Sequence, residues 1–506
     1  VPHTAKTRGW ELPAKLAPQT LLRVLPTELE GVLSRARCTV WHLLDDYDWS
    51  LWQAGCLALL SDRELLVVRR EGEGLSLADG KCRVTPVLPA DLPVGKLADA
   101  VRAITQRPLL DRARVVCCSR ELRVVNDQGK LVADGRTERW RMPDRRQLAW
   151  GVWLRALRGY EPEGEKLYAA FAEVAECRAK GSLLLPPVRS GAVGTFQPDV
   201  PDLRMALDTS LPADQAVGER LGSLLAASWR NEEGIVADVD PECLHHYRVG
   251  LRRARVLVTH ANSVLGSETA QQLARHLREL GQRTGPLRDL DVQLADCAWY
   301  ESLLAEDERA GLVGFRELLV DRRRRAQQSL RRYLRCQSYA RRRETVDRLL
   351  GVPAQDPEPV PAFLRRALWH RFRRWRKLCR KLGDAPTDTG LHRLRIEAKK
   401  LRYLFEFAGG LFAESQIGKW LPLLKGLQDA LGRAHDLAVC SAWVDEYARS
   451  LAGGQDSEAA SCASLAKALA GLHAESREAA IREIGTFTRK RGRKFLALID
   501  SRGKTP

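Results

Sequence analysis

The period of apolar and polar positions changes near residue 200. Between residues 38 and 140, short apolar runs alternate with turn residues. Leu65-Leu66-Val67-Val68 precedes Glu71-Gly72-Glu73-Gly74, and Arg114-Val115-Val116-Cys117 precedes Asn126-Asp127-Gln128-Gly129. Runs of this length, bounded by Gly and Asp, predict strands joined as hairpins. Without the helix-sized spacers of βαβ units, they predict an antiparallel sheet or barrel. The periodicity predicts a helix over 145–180, from Arg145 through Trp153 and Leu167 to Ala179, closing this first domain (1–185). The Pro- and Gly-containing stretch around Pro186-Pro187 to Pro201 reads as a linker, 186–211. From about Pro212 strand signals stop, and apolar residues recur at i, i+3, i+4 and i+7 between Gly/Pro/Asp breaks. That grammar predicts an all-helical region, giving an α+β multidomain chain.

The helical region repeats itself. Leu244-His245-His246-Tyr247-Arg248-Val249-Gly250-Leu251-Arg252-Arg253-Ala254-Arg255 matches Leu391-His392-Arg393-Leu394-Arg395-Ile396-Glu397-Ala398-Lys399-Lys400-Leu401-Arg402, 147 residues later. Arg288-Asp289-Leu290-Asp291-Val292 matches His435-Asp436-Leu437-Ala438-Val439 at the same offset. Two separated motifs that keep one offset mark a duplication, which divides the region into 212–355 and 356–506. At about 100° per residue, His245, Arg248, Arg252 and Arg255 fall within roughly an 80° arc, as do His392, Arg395, Lys399 and Arg402. Each row runs roughly 15 Å along its helix. Arg253 and Lys400 lie on the flank, about 80° from the histidines. Like charges at i, i+3 and i+4 repel, so a row held twice calls for a compensating anion. Asp289 and Asp436 are candidate internal partners, but two acids cannot neutralise two rows. Each histidine stands one turn before the first Arg, where it can donate to an anion and gain charge below about pH 6.5.

Charge follows the same division. The chain of 506 residues has a net charge of +18, of which residues 201–506 hold +13. Arg dominates that excess, and its planar fork suits phosphate oxygens. Runs such as Arg322-Arg323-Arg324-Arg325 and the stretch from Arg371 to Lys381 read individually as solvated faces. The twelve cysteines show no C-x-x-C spacing, which argues against structural zinc and for reduced, mostly core thiols. No apolar run approaches a membrane span and no signal-peptide pattern opens the sequence, so a cytoplasmic setting is expected. Phosphate-loop, nucleophile-elbow and His-Glu-x-x-His motifs are absent, and no cofactor is expected.

Residues 212–500 resemble the CHAD family, the conserved-histidine α-helical domain. The first half carries the resemblance in His245-x-x-Arg248-Val249-x-x-Arg252-Arg253-x-Arg255 and Thr284-Gly285-x-x-Arg288-Asp289-Leu290-Asp291-Val292. The second carries it in His392-x-x-Arg395-Ile396-x-x-Lys399-Lys400-Leu401-Arg402-Tyr403 and Leu431-Gly432-x-x-His435-Asp436-Leu437. The resemblance implies two pseudo-symmetric four-helix bundles with a basic surface or pore that binds inorganic polyphosphate, and an association with polyphosphate granules. By position, the implied contacts are His245, Arg248, Arg252, Arg253, Arg255, Arg288, His392, Arg395, Lys399, Lys400 and Arg402. His435 replaces Arg288 in the second half.

Residues 1–170 resemble the CYTH, or triphosphate-tunnel, family. Leu44-Asp45-Asp46-Tyr47-Asp48-Trp49-Ser50-Leu51-Trp52-Gln53-Ala54-Gly55 and Leu157-Arg158-Gly159-Tyr160-Glu161 carry that resemblance. It implies an antiparallel barrel binding triphosphate or polyphosphate with a divalent metal. Catalysis there requires Glu-x-Glu-x-Lys, and Glu28-Leu29-Glu30-Gly31-Val32 has Val32 in place of the Lys. Arg69, Arg114, Arg120 and Arg123 remain as candidate phosphate contacts. The expectation is a degenerate, non-catalytic barrel. A metal-dependent triphosphatase in this domain, or nucleic-acid binding by the basic helices, are the alternatives.

Overall fold

The computed structural model describes residues 7–12, 17–61, 64–71, 74–81, 87–141, 147–174, 206–350, 358–383, 385–451 and 456–500. The chain forms two compact units, Val1–Val200 and Pro201–Pro506.

The first unit is an antiparallel sheet curled into a half-barrel. Its strands are β1 (Thr7–Glu11), β2 (Leu29–Leu33), β3 (Arg37–Asp45), β4 (Cys56–Ser61), β5 (Glu64–Glu71), β6 (Gly74–Lys81), β7 (Leu110–Asn126), β8 (Leu131–Arg141) and β9 (Gln147–Ala156). They run in the order β1-β9-β8-β7-β3-β4-β5-β6, with β2 added to β7. The expected hairpin between β7 and β8 turns at Gly129, whose φ of 68° suits glycine, and the Asn126 side chain accepts from the Gln128 and Lys130 amides. Opposite faces bury separate clusters. One joins Leu122, Val124, Trp150, Val152 and Leu154 to Leu167 and Phe171 of helix α1 (Glu161–Val174); the other joins Leu43, Leu57, Leu59, Val115 and Trp140.

Two expectations need correction here. Residues 147–156 are strand β9 rather than the start of a helix. Ala149 through Leu154 are apolar on both faces, so period alone does not separate strand from helix, and the chain turns helical only after Gly159 at φ 90°. The thiols are not all free either. Cys38 and Cys118 stand directly opposite on β3 and β7 and are joined as a disulfide. Of the candidate phosphate contacts, Arg114 faces Asp111 at 3.6 Å and Arg120 donates to the Ser34 carbonyl, while the Arg69 side chain lies outside the described residues. Glu28 lies 3.7 Å from Lys166.

The second unit is helical: α2 (Ala213–Trp229), α3 (Pro241–His260), α4 (Ser267–Arg283), α5 (Gly285–Ala295), α6 (Val313–Leu334), α7 (Gln337–Leu350), α8 (Val360–Leu382), α9 (Asp388–Phe407), α10 (Glu414–Ser450), α11 (Asp456–Gly485) and α12 (Gly492–Asp500), with shorter helical turns between them. The starts of α2 and α8, of α3 and α9, and of α4 and α10 are each 147 residues apart, the offset of the motifs. Pro212 and its repeat mate Pro359 form a bridge with each other, placing a pseudo-twofold axis between the copies. The copies are not separate bodies. Leu290, Tyr300, Phe315 and Leu319 share one apolar cluster with Cys440, Val444, Leu465 and Leu469. The expected linker lies mostly outside the described residues; its end docks on the helices, where Leu207 is buried and its amide donates to the Phe407 carbonyl.

Gly250 marks where α2 and α3 cross closely. A methyl group there would run into the Ser228 hydroxyl and come within 2.9 Å of the Leu224 carbonyl. The second copy has Glu397 at this position, paired at 2.5 Å with Arg371, the mate of Leu224. Gly250→Ala should therefore destabilise the unit by about 1–3 kcal/mol in urea unfolding, despite the better helix propensity of alanine. A variant as stable as wild type would show that the crossing relaxes.

Candidate functional site

The helices α3 and α9 start alike. Asp240 caps α3 by accepting from the Glu242 amide, and Thr387 caps α9 by accepting from the Gly390 amide. Each buries one stripe: Leu244, Tyr247, Leu251, Ala254 and Leu257 in α3, and Leu391, Leu394, Ala398, Leu401 and Leu404 in α9. That burial fixes the rotation of each helix: Arg248 and Arg255 lie against α4 of their own copy and Arg395 and Arg402 against α10 of theirs, while Arg252 reaches the other copy.

Four observations show that the rows converge. The Arg252 guanidinium of α3 donates to the Tyr403 hydroxyl of α9 at 3.1 Å, and Arg253 pairs with Glu406 at 3.1 Å. Lys399 lies in the field of Arg252, its own repeat mate. Asp436 likewise lies in the field of its mate, Asp289. The two rows therefore come together along the pseudo-twofold axis, and the surface they share is referred to as the groove.

In the first copy, Arg248 donates to the Gly281 carbonyl at 2.7 Å and to the Thr284 hydroxyl at 2.9 Å. Burial, with Arg252, Arg288 and Arg255 close by, holds its pKa down to about 10 against the opposing field of Asp289. Arg255 is depressed by burial and by Arg278 and Arg252. Arg288 sits 3.7 Å from Glu242. In the second copy, Arg395 donates to Asp436 at 3.0 Å and Arg402 to Gln428 at 2.7 Å and to Glu406. Burial, followed by the fields of Arg395 and Arg252, pushes Lys399 down to about 7. The structure thus brings together His245, Arg248, Arg252, Arg255, Arg288, His392, Arg395, Lys399 and the partly neutralised Arg402.

Two expected contacts fall outside the groove. Arg253 is buried against Glu406 with its guanidinium over the Tyr403 ring, and Lys400 turns to Glu397 at 3.1 Å, in a network with Arg371 and His260. Their offset from the histidine row tucks both into contacts between helices. The histidines also differ from expectation. Burial and adjoining cations push His245 and His435 down to about 4, so both are neutral well below pH 6.5 and act as dipolar donors. His435 belongs to the site: its Nδ1 lies 3.2 Å from that of His392, with one ring donating to the other.

Sequence reasoning missed Arg278, the cation that acts most strongly on Arg255, although its repeat mate is Lys425 and both side chains are exposed. It also missed Glu406, the acid that takes one cation from each copy. No group of three or more metal-ligating side chains occurs among the described residues. The groove offers guanidinium, ammonium and imidazole donors and fewer carboxylates than cations, which suits an extended anion.

Residues 219–445 match the family model described as the CHAD domain. The uncharacterized proteins MT2285 and Rv2226 of Mycobacterium tuberculosis are each 30% identical over 296 residues, 55% of this chain and 54% of theirs. The chain therefore spans about half the length of these curated relatives. Among solved structures, the CHAD domain from the plant Ricinus communis aligns at 22% identity and a TM-score of 0.43, over 58% of this chain and 94% of that one. PptA from Streptomyces chartreusis aligns at 16% identity and a TM-score of 0.45, over 54% and 99%.

Lys399 gives the groove a measurable signature. Its folded pKa lies below its unfolded value, so the folded protein binds fewer protons between about pH 7 and 10.5, and stability rises with pH through that window. Lys399→Met should abolish that rise and stabilise the protein at pH 7 by a few kcal/mol as an order of magnitude. Denaturant unfolding at pH 7 and pH 9 checks both, and a variant no more stable than wild type contradicts them.

Proposed function

Because residues 219–445 of this chain are a CHAD domain, we propose that the helical unit binds inorganic polyphosphate, without catalysis, along the groove between the two cationic rows. The observation that carries the proposal is the approach of Arg252 and Lys399 across the pseudo-twofold axis, where burial and the neighbouring cations outweigh the opposing field of Asp436. A phosphate chain supplies a charge at every link, and laid along the groove it meets both rows in sequence. Arg248, Arg252 and Arg255 contribute forked donors, and the neutral histidines add hydrogen bonds without further repulsion. Lys399 regains its proton as the anion arrives. A cytoplasmic location, with attachment to polyphosphate granules, goes with this reading. No described helix is long and apolar enough to cross a membrane.

The first unit is proposed as a non-catalytic companion. It lacks the lysine of the Glu-x-Glu-x-Lys pattern at Val32, and Glu28 stands opposite Lys166 at the surface. Phosphate release from tripolyphosphate with Mg²⁺ or Mn²⁺ should stay at background. Turnover that disappears on changing Glu28 or Glu30 to Gln would assign a triphosphatase instead.

Affinity should come largely from counterion release. With six to eight phosphates neutralised, log K should fall against log salt with a slope of about −4 to −6. Changing Arg248, Arg252, Arg395 and Lys399 together to Glu should abolish polyphosphate binding while the helical circular dichroism persists. Undiminished binding by that folded variant would remove the groove from the account.

A further inference from the structure

The duplication provides an internal control for surface charge. Helices α2 and α8 hold equivalent places, so the fold asks the same of both. Their outward positions nevertheless differ in kind. Where α2 has Gly222, Ser223 and Ala226, α8 has Trp369, His370 and Arg373, and Arg374, Lys377, Arg380 and Lys381 continue the series. On α8 these seven residues lie within an arc of about 140°, away from the buried Leu368, Phe372, Trp375 and Cys379. Cations at this spacing repel one another along the helix. The acid within reach is already engaged: Glu397 holds Arg371 and Lys400, with Arg374 at 3.7 Å.

The face is also shaped. Between α8 and α9 a cavity of about 480 Å³ is walled by Arg374, Lys377, Lys381 and Arg393, with Leu378, Ile396 and the already paired Glu397 in its lining. Ile396 is one of few large apolar side chains left exposed among the described residues. Along α8 the Arg373 guanidinium lies 4.4 Å over the Trp369 ring, and His370 stands edge-on to that ring. On α9, Arg393 lies roughly 140° and Ile396 roughly 80° round the helix from the middle of the groove-facing row, on the side that lines the cavity against α8.

We propose that this outer face of α8 and α9 is a second binding site, one that takes single-stranded nucleic acid. Phosphates would run along Arg374, Lys377, Lys381 and Arg393, and bases would rest on Ile396, Leu378 and the Arg373–Trp369 stack. A bare phosphate chain has nothing to place on the apolar lining, whereas every base has a flat apolar face. The rings of the groove, by contrast, are the histidine imidazoles and Tyr403, whose ring is buried. The inference does not depend on the polyphosphate reading of that groove.

The test uses the full chain and a fluorescent single-stranded RNA of about 15 nucleotides, a length that covers one such face. Changing Arg374, Lys377, Lys381 and Arg393 to Glu should weaken RNA binding at least about tenfold and make its log–log salt slope shallower by about 2–3. Changing Arg252 and Lys399 to Glu should leave RNA affinity within about twofold, as those cations lie in the groove. Ile396→Ser, which leaves every charge in place, should weaken RNA binding and spare polyphosphate binding. RNA affinity unchanged in the outer-face variant overturns the site. Equal losses of RNA and polyphosphate in Ile396→Ser overturn the assignment to nucleic acid.

Discussion

The second unit is organised by a repulsion that its own side chains relieve only in part. Duplication about a pseudo-twofold axis makes equivalent positions face each other, as Pro212 and Pro359 do in forming a bridge. Applied to a helix with a cationic stripe, that geometry sets Arg252 against Lys399 in a half-buried groove. Desolvation and like charge then work in the same direction, which is why Lys399 and Arg248 sit below their ordinary proton affinities. On the proposed function, stability held back in this way is recovered when an anion enters, a common relation between strained charge and function.

The two copies moderate the repulsion differently. Position 406 is Glu in the second copy, where it holds Arg402 and reaches across to Arg253; the first copy has Thr259 there, leaving Arg255 facing Arg278. Position 397 is Glu in the second copy and neutralises Lys400, whereas Gly250 in the first serves a close helix crossing. Position 288 is Arg and its mate His435 is neutral. The first half of the groove is consequently the more strongly cationic, and the symmetry of the backbone is not matched by symmetry of charge.

Much of this was legible in the sequence because a helix converts spacing into direction. The offset of 147 residues foretold the duplicated helices, and the i, i+3, i+7 spacing foretold which cations share a face. What escaped depended on contacts between elements. Arg253 and Lys400 lie only a quarter-turn from the row, yet that rotation carries them under a neighbouring helix, and their acids, Glu406 and Glu397, carry no motif. The histidine protonation states depend on burial and on cations from another helix. In the first unit, strand β9 is apolar on both faces, which erased the period that would have distinguished it from a helix. The Cys38–Cys118 disulfide follows from strand register, which cysteine spacing does not encode.

The central claim is that the phosphate chain lies between the two rows, and Lys399 is the group best placed to report it. Its side-chain ammonium can be followed by nitrogen NMR through a pH titration of the full chain, with and without polyphosphate. The account predicts a midpoint near pH 7 in the free protein that moves upward by roughly one pH unit or more when the chain is bound. A midpoint that stays put at saturating polyphosphate would mean that the ligand binds elsewhere.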